Sequence, residues 1–262
     1  MYARDDFERM ILNLANGVSI NTIPSTIYVG LLLGDPGDNG QYTEISYAGY
    51  ARQPITFTEP TPSTGAHSIQ NRDKITFPES HEAAGTVQYI GIFTSANTNT
   101  GVMLLYGDLD DDIQVISGVS PVFQEGSIKY TLSGKISSIW RVRILNTLRG
   151  GTATGFTPYF ACASGDVESS VGAEFSGNGY QRVRILFTAP ANNDSGAMAI
   201  SNSETIVTPY ATAQWGIWSH TVIYDAQTGG NPFYLSARTQ NNTIYKGGAC
   251  GYNEGDLTLT LN

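Results

Sequence analysis

Charge is scarce in this chain. Only 14% of its 262 residues are Asp, Glu, Lys or Arg, against about 25% in an ordinary soluble domain. Basic residues are scarcer still, 14 Lys and Arg against 23 Asp and Glu, for a net charge of −9. That balance argues against nonspecific nucleic-acid binding, whose affinity comes from cations neutralising phosphates. Long apolar runs are missing too. The longest span four or five residues, such as Val102-Met103-Leu104-Leu105-Tyr106, where a membrane helix needs about 20. The start, Met1-Tyr2-Ala3-Arg4-Asp5-Asp6, has neither the basic region nor the apolar stretch of a secretory signal. Cysteine is nearly absent. Cys162 and Cys250 cannot form a disulfide framework, nor a closed zinc site without outside ligands. None of His67, His81 and His220 stands at a ligand-like spacing from either. Both cysteines are expected to be buried, reduced thiols.

What the chain does have is 29 Gly, 11 Pro, 15 Tyr and 10 Phe, a composition of strands and turns. It also repeats itself. Gly49-Tyr50-x-Arg52 returns 130 positions later as Gly179-Tyr180-x-Arg182, and Phe57-Thr58-x-Pro60 as Phe187-Thr188-x-Pro190. Gly34-Asp35 returns as Gly165-Asp166, Ile11-Leu12-Asn13 as Ile144-Leu145-Asn146, and Glu125-Gly126 with its following strand as Glu254-Gly255. Five anchors in one order make the chain a tandem duplication. The seam is expected near Gly134-Lys135, giving domains 1–134 and 135–262.

Each copy opens on a helical pattern. Phe7, Met10, Ile11 and Leu14 follow i, i+3, i+4, i+7 spacing, Asp5 or Asp6 can cap the start, and Asn16-Gly17 is a stop. In the second copy residues 138–148, stopped by Gly150-Gly151, read as a weaker helix, because their β-branched residues also allow a strand. Short strands between turn clusters follow: 27–33, 50–57, 87–93, 102–106 and a closing strand at 127–132 with period-two alternation. The expected fold is mainly β, two tandem β-sandwiches or partly closed barrels of about seven strands each, each preceded by a short helix.

The order of these motifs resembles a family of small phage virion proteins, tail-fibre or tail proteins that often occur as a single copy. It runs from an amphipathic helix through Gly34-Asp35-Pro36, residues 49–57, Ile75-Thr76-Phe77-Pro78 and 89–93 to a final Glu-Gly strand. The likeness covers residues 1–134 and, in degenerate form, 135–262, where the Gly-Ile-Phe of the first copy becomes Thr221-Val222-Ile223. It implies a structural role in the virion, in the tail or neck region, with synthesis in the host cytoplasm. It implies no catalytic residues. The partners expected are other copies of the chain and other tail, neck or baseplate proteins. The alternative is a module that recognises a host surface glycan. The sequence given adds no shaft or distal head after Leu261-Asn262, which favours the structural reading.

The motif residues have ordinary physical tasks. Gly49 and Gly179 supply a permissive backbone at a turn. Tyr50 and Tyr180 are expected to pack their rings with the hydroxyl near the surface, and Arg52 and Arg182 to bond carbonyls or a carboxylate across an edge. Asp108, Asp110, Asp111 and Asp112 form the sharpest charged feature; the second copy has Ala237-Arg238-Thr239-Gln240 there, so a solvated loop or interface is expected rather than a calcium site. Residues 35–40 lack the ligand pattern of an EF-hand and read as a turn. Ser219, His220 and Asp225 lie close together, without a Gly-x-Ser-x-Gly elbow. No glycine-rich phosphate loop is present. No enzyme activity, metal or cofactor is expected. Trp215, Trp218 and Tyr210 could form a sugar-stacking platform, but core positions for alternate members of Trp215, Ile217, Trp218 and Val222 are preferred.

Overall fold

The computed structural model describes residues 1–170 and 173–261. The chain divides into two compact units. Unit 1 takes residues 1–8, 21–132 and 144–152; unit 2 takes 9–20, 133–143 and the chain from Ala153 on. The boundary therefore runs through both helices rather than between two consecutive stretches of sequence.

The first half of the chain contains β1 (Tyr2–Ala3), α1 (Asp5–Asn13), β2 (Ile27–Leu32), β3 (Gln53–Ile55), β4 (Thr61–Ser63), β5 (Ala66–Gln70), β6 (Ile75–Thr76), β7 (Gly85–Phe93), β8 (Met103–Val115), β9 (Val122–Phe123) and β10 (Lys129–Ser133). The strands form an antiparallel five-stranded sheet in the order β1-β8-β7-β2-β3, a three-stranded sheet β10-β5-β4 and the pair β6-β9. The second half contains α2 (Ser138–Thr147), β11 (Tyr159–Ala163), β12 (Val183–Arg184), β13 (Ala191–Asn192), β14 (Met198–Ser201), β15 (Ile206–Val207), β16 (Gly216–Tyr224), β17 (Pro232–Ile244), β18 (Gly251–Tyr252) and β19 (Thr258–Thr260). Its sheets are β12-β11-β16-β17, β13-β14-β19 and β15-β18. Reversed, these are the orders of the first half. A bridge between Ile136 and Tyr234 stands where β1 pairs with β8. The fold is mainly β, built of multiple antiparallel sheets, none closed into a barrel among the described residues.

Apolar positions explain the elements. In α1 Phe7, Ile11, Leu12 and Leu14 are buried, and a turn of 3-10 helix over Leu14–Asn16 ends at Gly17, whose φ is 80°. The helix thus buries these apolar side chains within its own chain. Residues 138–147 are helical, which removes the strand alternative. Trp140, Ile144, Leu145 and Leu148 are buried at i, i+4, i+5 and i+8.

The strand read at 102–106 extends much further, because β7–β8 and β16–β17 are long ribbons with matching bulges. Val87 pairs with Ile113 and Tyr89 with Asp108, so one residue of β7 faces four of β8. Trp218 pairs with Asn242 and His220 with Ala237, the same interruption. The acidic run therefore sits on the bulge of a strand, not in a loop between strands.

Two buried asparagines close the smaller sheets. The Asn71 Nδ2 group donates to the carbonyls of Asp73 (3.0 Å) and Gln124 (2.7 Å), and its Oδ1 accepts the Ile128 N–H (2.7 Å). Asn202 does the same with Glu204 (2.8 Å), Asn253 (2.7 Å) and Leu257 (2.8 Å).

Candidate functional site

The repeated Gly-Tyr-x-Arg motif builds a clasp in each unit. Gly49 and Gly179 have φ of 87° and 81°, a left-handed backbone that glycine adopts without strain. The turn sends Tyr50 and Arg52 inward toward Glu44, which bridges to Leu32 at the end of β2. The Tyr50 hydroxyl donates to Glu44 Oε1 at 2.7 Å and accepts the Leu31 N–H at 2.9 Å. The hydroxyl is thus buried in the clasp rather than near the surface. Burial and the neighbouring Glu44 push its pKa well up, so it stays protonated and cannot act as a base.

Arg52 has a side chain with no exposed area, and its Nη2 lies 2.7 Å from Glu44 Oε2. Its Nε contacts both Glu44 oxygens, at 3.0 and 3.1 Å. Nη1 donates to the carbonyls of Ser95 (2.9 Å), Asn97 (3.1 Å) and Thr100 (3.2 Å), and Nη2 to that of Thr98 (3.3 Å). The guanidinium carbon lies 3.5 Å from the centre of the Phe93 ring. One side chain therefore fixes the whole β7–β8 loop through four carbonyls. Gly30 makes room for this: a Cβ there would come within 2.8 Å of Glu44 Oε1 and 2.9 Å of the Phe93 ring.

Unit 2 repeats the arrangement. Arg182 Nη2 lies 2.6 Å from Glu174 Oε2, Nε donates to Glu174 Oε1 at 2.7 Å, and Nη1 donates to the carbonyls of Ala226 and Gly229. Its guanidinium lies 3.3 Å from the centre of the Tyr224 ring. The Tyr180 hydroxyl accepts the Cys162 N–H at 2.9 Å and donates to Glu174 at 3.2 Å. Every donor group of both arginines is engaged, so the clasps hold loops and offer nothing to a substrate. Sequence reading missed Glu44 and Glu174. The signal was there: both precede their arginine by eight residues and stand 130 positions apart.

The other singled-out residues separate. Asp110, Asp111 and Asp112 are exposed on the β8 bulge, with Asp112 accepting from Gln88 at 3.2 Å. No group of three or more His, Cys, Asp or Glu side chains among the described residues is arranged to hold a metal ion. The Asp35 carboxylate accepts the Gly37 N–H at 2.9 Å, an Asx-turn. Ser219 Oγ bonds His220 Nδ1 at 2.9 Å, while Asp225 bonds Asn231 and Arg143, so the three form no triad. Cys162 and Cys250 are buried and free. Burial and a hydrogen bond with Cys250 push the Cys162 thiol well up, leaving it a poor nucleophile.

The aromatics divide between core and surface. Trp218 is buried, and its indole N–H donates to the His220 carbonyl at 3.0 Å. Trp215 is half-buried against Tyr180 at 5.2 Å and Phe175 at 6.0 Å. Ile217, placed among the core candidates, is instead 52% exposed. Tyr210 and Tyr245 are 71% and 65% exposed. Hydrogen bonds of Ala211 with Gly247 and Gly248 bring the segments carrying them together, so they flank one end of the β16–β17 ribbon. Unit 1 has Glu79 and Ile116 in these places, fixed by the matching bonds of Ser80 with Gly118 and Val119.

A family model described as Podophage GP4 fiber I protein gp80 matches the chain twice, over residues 3–131 and 135–260. The chain belongs to this family of phage fibre structural proteins. Its two matched stretches follow the same tandem order as the repeated clasps, and membership makes it a virion protein. No curated protein matches it. No helix among the described residues is long and apolar enough to cross a membrane.

Proposed function

We propose that this fibre-family protein is a building block of the phage tail, collar or fibre-attachment region, assembled as a homo-oligomer from chains that each carry two copies of one β-domain, 1–134 and 135–262. The observation that carries the reading is the paired family match across nearly the whole chain. The clasps support it, because buried arginines that immobilise loops suit a part that must keep its shape under load. The low content of charge supports it as well, since polar neutral surfaces associate without desolvating many ions. The role needs no catalytic group, metal or cofactor. Electron microscopy and quantitative mass spectrometry of purified particles test it. The chain should be present in multiple copies at the tail or neck, and light scattering should find the purified protein oligomeric. Absence from particles, with the protein acting alone in the host cell, would overturn the reading.

A second reading has one specific observation in its favour, the exposed Tyr210 and Tyr245 that replace Glu79 and Ile116 at the ribbon end. Exposed aromatic faces stack on sugar rings, so this end of unit 2 suits a host surface glycan. Glycan-array binding lost in Tyr210→Ala with Tyr245→Ala would support it. Trp218 is no part of such a platform, because its ring lies in the core.

A further inference from the structure

The two copies differ most usefully beside their first helices. In unit 1, Tyr2 pairs with Tyr106 across β1 and β8, with ring centres 5.4 Å apart, and Tyr89 pairs with Asp108 nearby. In unit 2 the Leu235 N–H donates to the Lys135 carbonyl at 2.8 Å, and His220 pairs with Ala237. Register thus sets Lys135 where Tyr2 stands, Leu235 where Tyr106 stands, and His220 where Tyr89 stands. Three phenol rings have given way to Lys, Leu and His. The consequence is a cleft of about 230 Å³ in unit 2, lined among others by Lys135, Arg141, Asp166, Glu168, His220 and Leu235.

The helix residue at this cleft has also changed sign. Glu8 donates its N–H to the Arg4 carbonyl and Arg141 to that of Ser137, so the two occupy one position. Arg141 is 7% exposed. Its Nη2 donates to the Gly134 carbonyl at 3.0 Å, and its Nε has no hydrogen-bond partner. The Glu168 carboxylate already acts on the charge of this guanidinium, but a buried N–H with no acceptor remains costly, and a carboxylate placed at Nε relieves it. Lys135 adds a second cation. Asp166 and Glu168 also line the cleft. One oxygen of each accepts a backbone N–H, Asp166 from Glu168 at 2.9 Å and Glu168 from Ser138 at 2.6 Å. The second oxygen of each is an acceptor suited to a hydroxyl group, and Leu235 offers an apolar wall. At roughly 30 Å³ per water, the cleft has room for about seven or eight waters, the size of one substituted six-membered ring.

We propose that this cleft binds a single carboxylated sugar residue, free or at the end of a polysaccharide, with its carboxylate at Arg141 and Lys135 and its hydroxyls toward Asp166 and Glu168. The site is separate from the exposed tyrosines and does not depend on the structural role. Calorimetry on the full chain with D-glucuronate, D-glucose, acetate and an oligogalacturonide tests it. Glucuronate should bind saturably with a Kd in about the millimolar range, and glucose and acetate roughly tenfold or more weakly. Tighter binding of the oligogalacturonide would identify a polysaccharide end as the source, and equal or weaker binding the free sugar. Arg141→Gln should lose glucuronate binding about tenfold while leaving the weak response to glucose unchanged. Should that variant fail to fold, Lys135→Tyr with Leu235→Tyr restores two unit 1 side chains and fills the cleft; it should abolish binding with an unchanged melting temperature. Absence of saturable glucuronate binding to the natural chain, or full binding by a folded filled variant, would overturn the proposal.

Discussion

Removing Glu44 should cost unit 1 more stability than removing Glu174 costs unit 2. The perturbation is Glu44→Ala, set beside Glu174→Ala. In the first clasp the side chains of Arg52 and Glu44 are 0% and 8% exposed; in the second, those of Arg182 and Glu174 are 9% and 20% exposed. Breaking a buried ion pair from one side leaves an uncompensated charge, at about 3–5 kcal/mol. The four loop carbonyls that Arg52 retains soften this loss, so about 3 kcal/mol is expected for Glu44→Ala. Water reaches the second clasp more readily, and about 1–2 kcal/mol is expected for Glu174→Ala. All three tryptophans, Trp140, Trp215 and Trp218, lie in unit 2. Tryptophan fluorescence during urea unfolding therefore follows unit 2, and circular dichroism follows both. Hydrogen exchange at residues 95–100 should also rise in Glu44→Ala, as the loop loses its fixed anchor. Equal losses for the two variants, or a loss below about 0.5 kcal/mol for Glu44→Ala, the range of an unremarkable surface change, would refute the argument that burial sets the clasp's worth.

Asn202→Ala removes three hydrogen bonds and leaves buried backbone groups unpaired, so unit 2 should lose about 2–4 kcal/mol in a fluorescence-monitored urea titration. Burial and the neighbouring Asp38 and Asp5 carboxylates push Glu8 up to about 7. The folded state then binds the proton more tightly than the unfolded chain, so stability should fall as pH rises from about 4.5 to about 7 and level off above. Glu8→Gln should flatten that slope and exceed the natural chain by about 1–3 kcal/mol at pH 8, as read by melting temperature. Gly155→Ala would drive a Cβ into the backbone of Gly17 and Val18; loss of soluble folded protein is expected, where the same change at Gly34, which has open space around it and no left-handed φ, should yield folded protein.

The strand plan was legible because it depends on repetition and alternation, both local to the sequence. The five anchors predicted one strand order used twice, and the sheets share that order. Helix α1 was legible from its apolar spacing. Helix α2 was ambiguous for a physical reason: Ile139, Val142 and Ile144 are β-branched and suit a strand as well as a helix. Burial at helical spacing decided it, and burial is a tertiary fact. Glu44 was illegible in isolation because one glutamate among Thr, Ser and Tyr carries no pattern. Only its bridge to Leu32 puts it beneath Arg52. The inward Tyr50 hydroxyl follows from the same carboxylate, and once Glu44 was missed the surface was the natural place for a phenol. The buried Asn71 and Asn202 escaped for a related reason, since two of the three partners of each lie more than 50 residues away in sequence.

Duplication turns each unit into a control for the other. The clasp, the asparagine closure and the ribbon bulge occur in both, so they answer to the fold and carry no information about what one copy does alone. The differences are concentrated elsewhere. The unit 1 bulge carries Asp110, Asp111 and Asp112, where unit 2 has Thr239, Gln240 and Asn241. The unit 2 ribbon end has gained two exposed tyrosines, and its helix-side cleft has lost three. Neither exposed tyrosines nor an open cleft stabilises a domain, since each leaves apolar area in water that burial would have rewarded. A fold maintained by the shared clasps tolerates those losses, and selection for stability alone would not produce them. The physical asymmetry therefore assigns the scaffold to what the copies share and any recognition to what unit 2 has changed. Exchanging the residues should transfer the property: Glu79→Tyr with Ile116→Tyr in unit 1 should create a second aromatic end without loss of folding, because both positions lie on a ribbon end already held by the Ser80 hydrogen bonds. A variant that unfolds would show that these positions serve the fold after all.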